Sequence, residues 1–159
     1  YQTGEPLPET LYQRMQAAKN FQAGIFMVRQ LEFGLFDFRL HREYDPARGA
    51  RVLETLDDVR QQVAVIVPPV YNRFANAFTH IFAGGYAAGY YSYKWAEVLS
   101  ADAFSAFEEN GIFDAPTGER FRHSILEAGG SRPAMVSFVE FRGREPRIEP
   151  LLRLSGIAA

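Results

Sequence analysis

The sequence contains no cysteine, which excludes disulfides and thiolate zinc sites and is compatible with a reducing, cytoplasmic setting. It carries little net charge. Seventeen Lys and Arg against 19 Asp and Glu leave −2 at neutral pH, which argues against a general nucleic-acid binder and an electrostatic membrane anchor. No apolar run approaches the roughly 20 residues that span a bilayer. The opening "YQTGEPLPET" lacks the basic-then-apolar pattern of a signal peptide and lacks a methionine, so Tyr1 reads as an edge and the chain as part of a longer polypeptide. Also missing are an internal repeat, a low-complexity linker and a convincing alternating strand pattern. The β-branched run "VAVIV" (63–67) is too short to change that.

What is present suits one domain. The 159 residues are 47% hydrophobic, enough for a sizeable core. "TGEPLPETLYQRMQAAKNF" (3–21) predicts a helix with Pro8 and Glu9 in its first turn and Leu11, Met15 and Ala18 at helical spacing. The next stretch, 22–44, is apolar nearly all round, with Phe26, Leu31, Phe33, Leu35, Phe36 and Phe38. That pattern predicts a helix buried on several sides, ended by Pro46 and Gly49. Thr55 reads as the N-cap of a helix stopped by Pro68 and Pro69. Residues 71–89 have weak periodicity and predict a loop or broken helix. A strong helical pattern follows over 90–109, then a helix capped by Thr117 and ended by Gly129 and Gly130, and a shorter one capped by Ser131. The fold expected is all-α, a single helical segment over 1–159.

Few residues suggest chemistry. His41, His80 and His123 form no H-E-x-x-H pair, and Glu32 and Glu43 stand at no zinc spacing from His41, so no metal site is expected within the chain. A G-x-S-x-G elbow and a P-loop lysine are absent. Asp57–Asp58 and Glu108–Glu109 read as helix-end charges, and Arg142, Arg144 and Arg147 as a solvated surface or a weak anion patch. The tyrosines differ. In "HIFAGGYAAGYYSYKW" (80–95), Tyr86, Tyr90 and Tyr93 recur at i, i+4 and i+7, while Gly84, Gly85 and Gly89 permit unusual backbone angles and close approach of a ligand. A mobile glycine segment carrying phenol donors is what a closing substrate loop needs. Ordinary ring packing with wetted hydroxyls is the blander alternative, and Tyr91 and Trp95 read as core.

The stretch 80–104, together with "TGEPLPETL", "AAKNFQAG", "RQLEFGLFDFRLH", "GGSR", "FRGREP" and "LLRLSG" in the same order, resembles the thimet-oligopeptidase-like zinc metallopeptidases, most closely their bacterial members. The resemblance covers essentially the whole chain. It implies the C-terminal part of a large, mostly helical catalytic domain that cleaves short peptides in a deep channel. It implies zinc bound on an H-E-x-x-H helix, with a further glutamate ligand, all upstream of Tyr1. The missing upstream part would be this chain's partner, and the chain alone would be inactive. By the same resemblance Tyr93 and Tyr90 are catalytic, contacting the scissile peptide and its tetrahedral intermediate, and His80, Gly84, Gly85 and Tyr86 bind substrate. Ala87 stands where some members carry aspartate. The alternative is a helical binding or scaffold module without peptidase activity.

Overall fold

A computed structural model describes residues 2–157. Among them there is no strand. Eight α-helices run in order: α1 (Glu9–Ala18), α2 (Ala23–Arg42), α3 (Val52–Val63), the single turn α4 (Phe74–Ala77), α5 (Ser92–Asn110), α6 (Ala115–Phe121), α7 (Ala134–Arg142) and α8 (Glu149–Leu154). Short 3₁₀ turns lie at Pro46–Arg48 and Thr79–Ile81, and α6 continues into a π-helical stretch, Arg122–Glu127.

Two apolar clusters organise these helices. In the first, Phe36 of α2 meets Leu56 and Val59 of α3 and Ala75, Phe78 and Ile81 of the broken segment, with Phe33, Phe74 and Tyr90 packed around them. In the second, Ala103 and Ala106 of α5 meet Phe138 and Phe141 of α7, flanked by Phe107, Phe121 and Ile125. Residues 82–91 are the connection between the clusters, so whatever fixes their path fixes one half against the other.

Several boundaries differ from expectation for identifiable reasons. α3 starts at Val52, one turn ahead of Thr55, which is buried within the helix; α3 ends at Val63, before the prolines. Asp114, and not Thr117, caps α6: its carboxylate accepts the Thr117 N–H at 2.9 Å, and the buried Thr117 hydroxyl accepts from Asn110 and Arg120. Ser131 closes the preceding turn, donating to Ala128 O at 2.6 Å, while Pro133 precedes α7. α2 is enclosed on more than one side, as expected: Glu32 and Phe36 face α3, Gly34 lies against Tyr91, and Asp37 meets residues 88 and 90, while a stripe with Leu31, Leu35 and Phe38, and Phe26 nearer the start, stays exposed. Tyr91 and Trp95, expected in the core, are about half exposed.

Arg142 and Arg144 form neither a solvated surface nor an anion patch. They converge on Asp102, which is fully buried on α5. Arg144 grips its carboxylate with two bonds of 2.6 Å, the Arg147 N–H donates at 2.7 Å, and Arg142 Nε lies 3.5 Å away. Glu108 and Glu109 also have structural partners, Arg153 of α8 and Arg142 of α7. At the C-terminal end of α5 these carboxylates oppose the helix dipole, and the arginines offset that. Desolvation alone would raise the Asp102 carboxyl, but the hydrogen bonds from Arg144 and the Arg147 N–H outweigh it and hold it below the usual aspartate range.

Removing one partner of a buried ion pair typically costs about 3–5 kcal/mol, so Asp102→Ala is expected to lower stability by about 3 kcal/mol, read from urea denaturation. A depressed folded-state pKa also makes this contribution complete above the unfolded-chain value of about 4, and it is lost as pH falls through the lower folded-state value. Urea midpoints at pH 7 and pH 3 should therefore converge in Asp102→Asn relative to the parent.

Candidate functional site

The 3₁₀ turn ending at Ile81 does not continue as a helix because Phe82 departs from helical geometry. The chain then folds back on itself. Gly84 N–H donates to Thr79 O at 2.8 Å, Tyr86 N–H to His80 O at 3.0 Å, and Gly89 N–H to Tyr86 O at 2.8 Å. Gly84 is packed so closely that a Cβ there would lie 2.6 Å from His80 Cα, nearer than any side chain tolerates. Gly85 has φ +82°, in the left-handed region that glycine enters freely. Steric fit and backbone angle thus give these glycines a role beside the flexibility that composition suggests.

The turns bring the sequence-selected side chains together. The Tyr86 and Tyr93 rings are 4.9 Å apart, Tyr90 and Tyr93 5.2 Å, His80 and Tyr90 6.1 Å, and His80 and Tyr86 6.4 Å. Tyr93 is reached from the first turn of α5, Tyr86 and Tyr90 from the turns, and His80 from the 3₁₀ element, so convergence does not require a continuous helix. Their surroundings differ. Tyr90 is half-buried edge-on against Phe78 and Phe33, and its hydroxyl donates to Gln30 Oε1 at 2.9 Å. Tyr86 and Tyr93 are 36% and 40% exposed, which leaves their hydroxyls accessible to a ligand. Burial pushes the Tyr90 phenol above the ordinary tyrosine value. Tyr93 is also raised, first by its interaction with the Tyr86 hydroxyl, then by burial and by the neighbouring phenols. Both therefore stay protonated, as O–H donors, through neutral pH.

Two residues outside the Gly/Tyr stretch complete the site, and sequence reasoning missed both. Gln30 holds the Tyr90 hydroxyl. Asp37, fully buried on α2, accepts the Ala88 N–H on Oδ1 and the Tyr90 N–H on Oδ2, each at 2.9 Å. His41 Nδ1 lies 2.9 Å from Asp37 Oδ1 and 2.9 Å from Asp37 O, one helical turn back. The available signal was the aspartate at the centre of "LFDF", a charge at a core-facing position of an apolar helix.

Among the described residues, no three His, Asp or Glu side chains are grouped so as to hold a metal ion. Glu32 is engaged by Arg60 and Arg29, Glu43 by Arg39, and the exposed His123 by Glu127. None of these described groups makes a zinc ligand set, and what the turns bring together is a group of phenol hydroxyls and rings beside His80.

The profile of peptidase family M3 matches residues 1–157. Oligopeptidase A of Salmonella typhimurium and that of Escherichia coli are each 59% identical over 157 residues, 99% of this chain and 23% of the relative. The probable cytosolic oligopeptidase A of Arabidopsis thaliana is 54% identical over 167 residues, 100% of this chain and 23% of the relative. The chain thus spans about a quarter of the length of these relatives. On the match of nearly its whole length, the chain belongs to peptidase family M3.

Proposed function

We propose that this chain is the C-terminal part of the catalytic domain of a zinc-dependent oligopeptidase, and that its Gly/Tyr segment forms one wall of the cleft in which short peptides are cleaved. The observation that carries this reading is the convergence of His80, Tyr86, Tyr90 and Tyr93, with two of the phenols accessible, in a chain of a peptidase family. The names of the relatives support short peptides as substrates. The zinc ligands would be supplied by polypeptide outside this chain. The absence of cysteine, and the cytosolic naming of the Arabidopsis relative, support a cytoplasmic location.

The chemistry follows from the protonation states. Peptide hydrolysis builds negative charge on the scissile carbonyl oxygen. A neutral phenol placed about 2.7–3.1 Å from that oxygen binds the transition state more tightly than the substrate. Tyr93 is the accessible donor for that task, steadied by Tyr86. Tyr90 joins it only by releasing Gln30, so its contribution depends on substrate displacing one hydrogen bond. His80 and Tyr86 offer ring faces to substrate side chains. Gly85, with nothing within 4 Å of where a Cβ would stand, keeps the backbone bare so that a peptide can lie close against it, while Gly84 lets the turn close on His80 and so shapes that surface.

In the complete enzyme, Tyr93→Phe is expected to lower kcat about a hundred- to thousandfold, the usual effect of removing one such donor, with zinc content and KM little changed. Steady-state kinetics with parallel metal analysis check this, and unaltered turnover would take Tyr93 out of the mechanism. Gly84→Ala should also slow turnover, because its new Cβ forces the backbone at His80 to move. Wild-type kinetics in that variant would mean that the turn's shape is irrelevant to catalysis.

A further inference from the structure

The geometry points to Asp37 as the positioning residue of the tyrosine cluster: a buried carboxylate that fixes the 88–90 turn by its two backbone N–H groups, and so aims Tyr90 and Tyr93 without touching substrate. This inference rests on the reading of the tyrosines given above.

The turn would not hold this shape unaided. Ala88 sits at φ +54°, a left-handed conformation that disfavours an L side chain and that the segment must be made to adopt. Its N–H and that of Tyr90 point the same way, and the Asp37 carboxylate spans both at 2.9 Å. With no exposure to water, Asp37 has no solvent to replace these donors if they leave. The carboxylate is itself fixed, since His41 Nδ1 reaches Oδ1 and the Asp37 carbonyl at the same 2.9 Å. Both of those atoms accept only, so the one N–H that Nδ1 can carry is shared between them. Beyond the turn, Tyr90 leads directly into α5, where the Lys94 and Trp95 N–H groups donate to Tyr91 O. A shift of the 88–90 backbone therefore moves the α5 entry, and Tyr93 with it. Displacement of a catalytic group by about 1 Å typically costs about a hundredfold in rate.

Asparagine is the discriminating replacement. It keeps the shape of the side chain but presents N–H₂ to one of the two backbone donors, so only one bond can form. In full-length enzyme, Asp37→Asn is expected to lower kcat ten- to a hundredfold with KM changed less than about threefold, with kcat referred to the folded fraction measured by circular dichroism, because partial unfolding also lowers apparent kcat at constant KM. Adding Tyr93→Phe to Asp37→Asn should cost less than about threefold more, because the phenol is already misaimed. Hydrogen exchange supplies a readout independent of activity. In the wild-type enzyme the Ala88 and Tyr90 amides should exchange at least tenfold more slowly than that of exposed Ala87, and in Asp37→Asn at least one of them should lose that protection. Fast exchange at both amides in the wild type overturns the pin without need of any variant. Lost protection with unaltered kcat overturns the link to catalysis. Full additivity of the two substitutions shows that Asp37 does not act through Tyr93, and overturns the assignment. A Tyr93→Phe enzyme of normal activity instead overturns the reading of the tyrosines, and the aiming role falls with it.

Discussion

A carboxylate withdrawn from water must find donors, and in this fold the donors come from distant parts of the chain. Glu32 and Asp37 of α2 and Asp102 of α5 are all essentially unexposed. Glu32 takes Arg60 of α3, 28 residues on; Asp37 takes the backbone of residues 88 and 90; Asp102 takes Arg144 and the backbone of Arg147. Relative to an apolar replacement such pairs add little net stability, because desolvation offsets the attraction. Their effect is on which arrangement is allowed. Any packing of α2 on α3, of the turns on α2, or of residues 144–147 on α5 that leaves a carboxylate without its donors is disfavoured.

The candidate site follows from one of these constraints. The Gly/Tyr segment is bound on one side to α2 through Asp37 and Gln30, and it presents aromatic rings and hydroxyls on the other. Packing in the first apolar cluster holds Tyr90 in place, while Tyr86 and Tyr93 remain outside it. A rigid inner side and an accessible outer side are what a preorganised donor needs, since a group already aimed loses little freedom when the reacting oxygen arrives.

Much of this was legible in the sequence. Helical periodicity gave the all-α class, and the weak pattern of 71–89 marked the broken segment, which joins the first cluster through Ala75, Phe78 and Ile81 and then leads toward α5. Tyr86, Tyr90 and Tyr93 were selectable from spacing, because i, i+4 and i+7 neighbours converge whether the backbone is helical or wound into turns. The caps were less legible. Thr55, Thr117 and Ser131 have the right chemistry for N-caps, yet a competing residue, Asp114, or a different local bond, as at Ser131, takes the position. The buried charges were the least legible. Asp102 and Arg142 look like ordinary surface residues until the fold brings partners from up to 45 residues away, and only the apolar neighbours of Asp37 in "LFDF" set it apart. The apolar girth of α2 predicted burial on several sides, which the fold supplies except along a stripe with Leu31, Leu35 and Phe38.

Enclosing these carboxylates also sets how the protein responds to ionic strength. At physiological salt the Debye length is about 8 Å, so mobile ions weaken contacts lying in water, such as Arg122 and His123 with Glu127, which are about half exposed. Counterions do not enter around Asp37 or Asp102, whose side chains are fully shut away. The tertiary frame, and the path of residues 88–90 with it, therefore persists in concentrated electrolyte, while the outer ion pairs loosen.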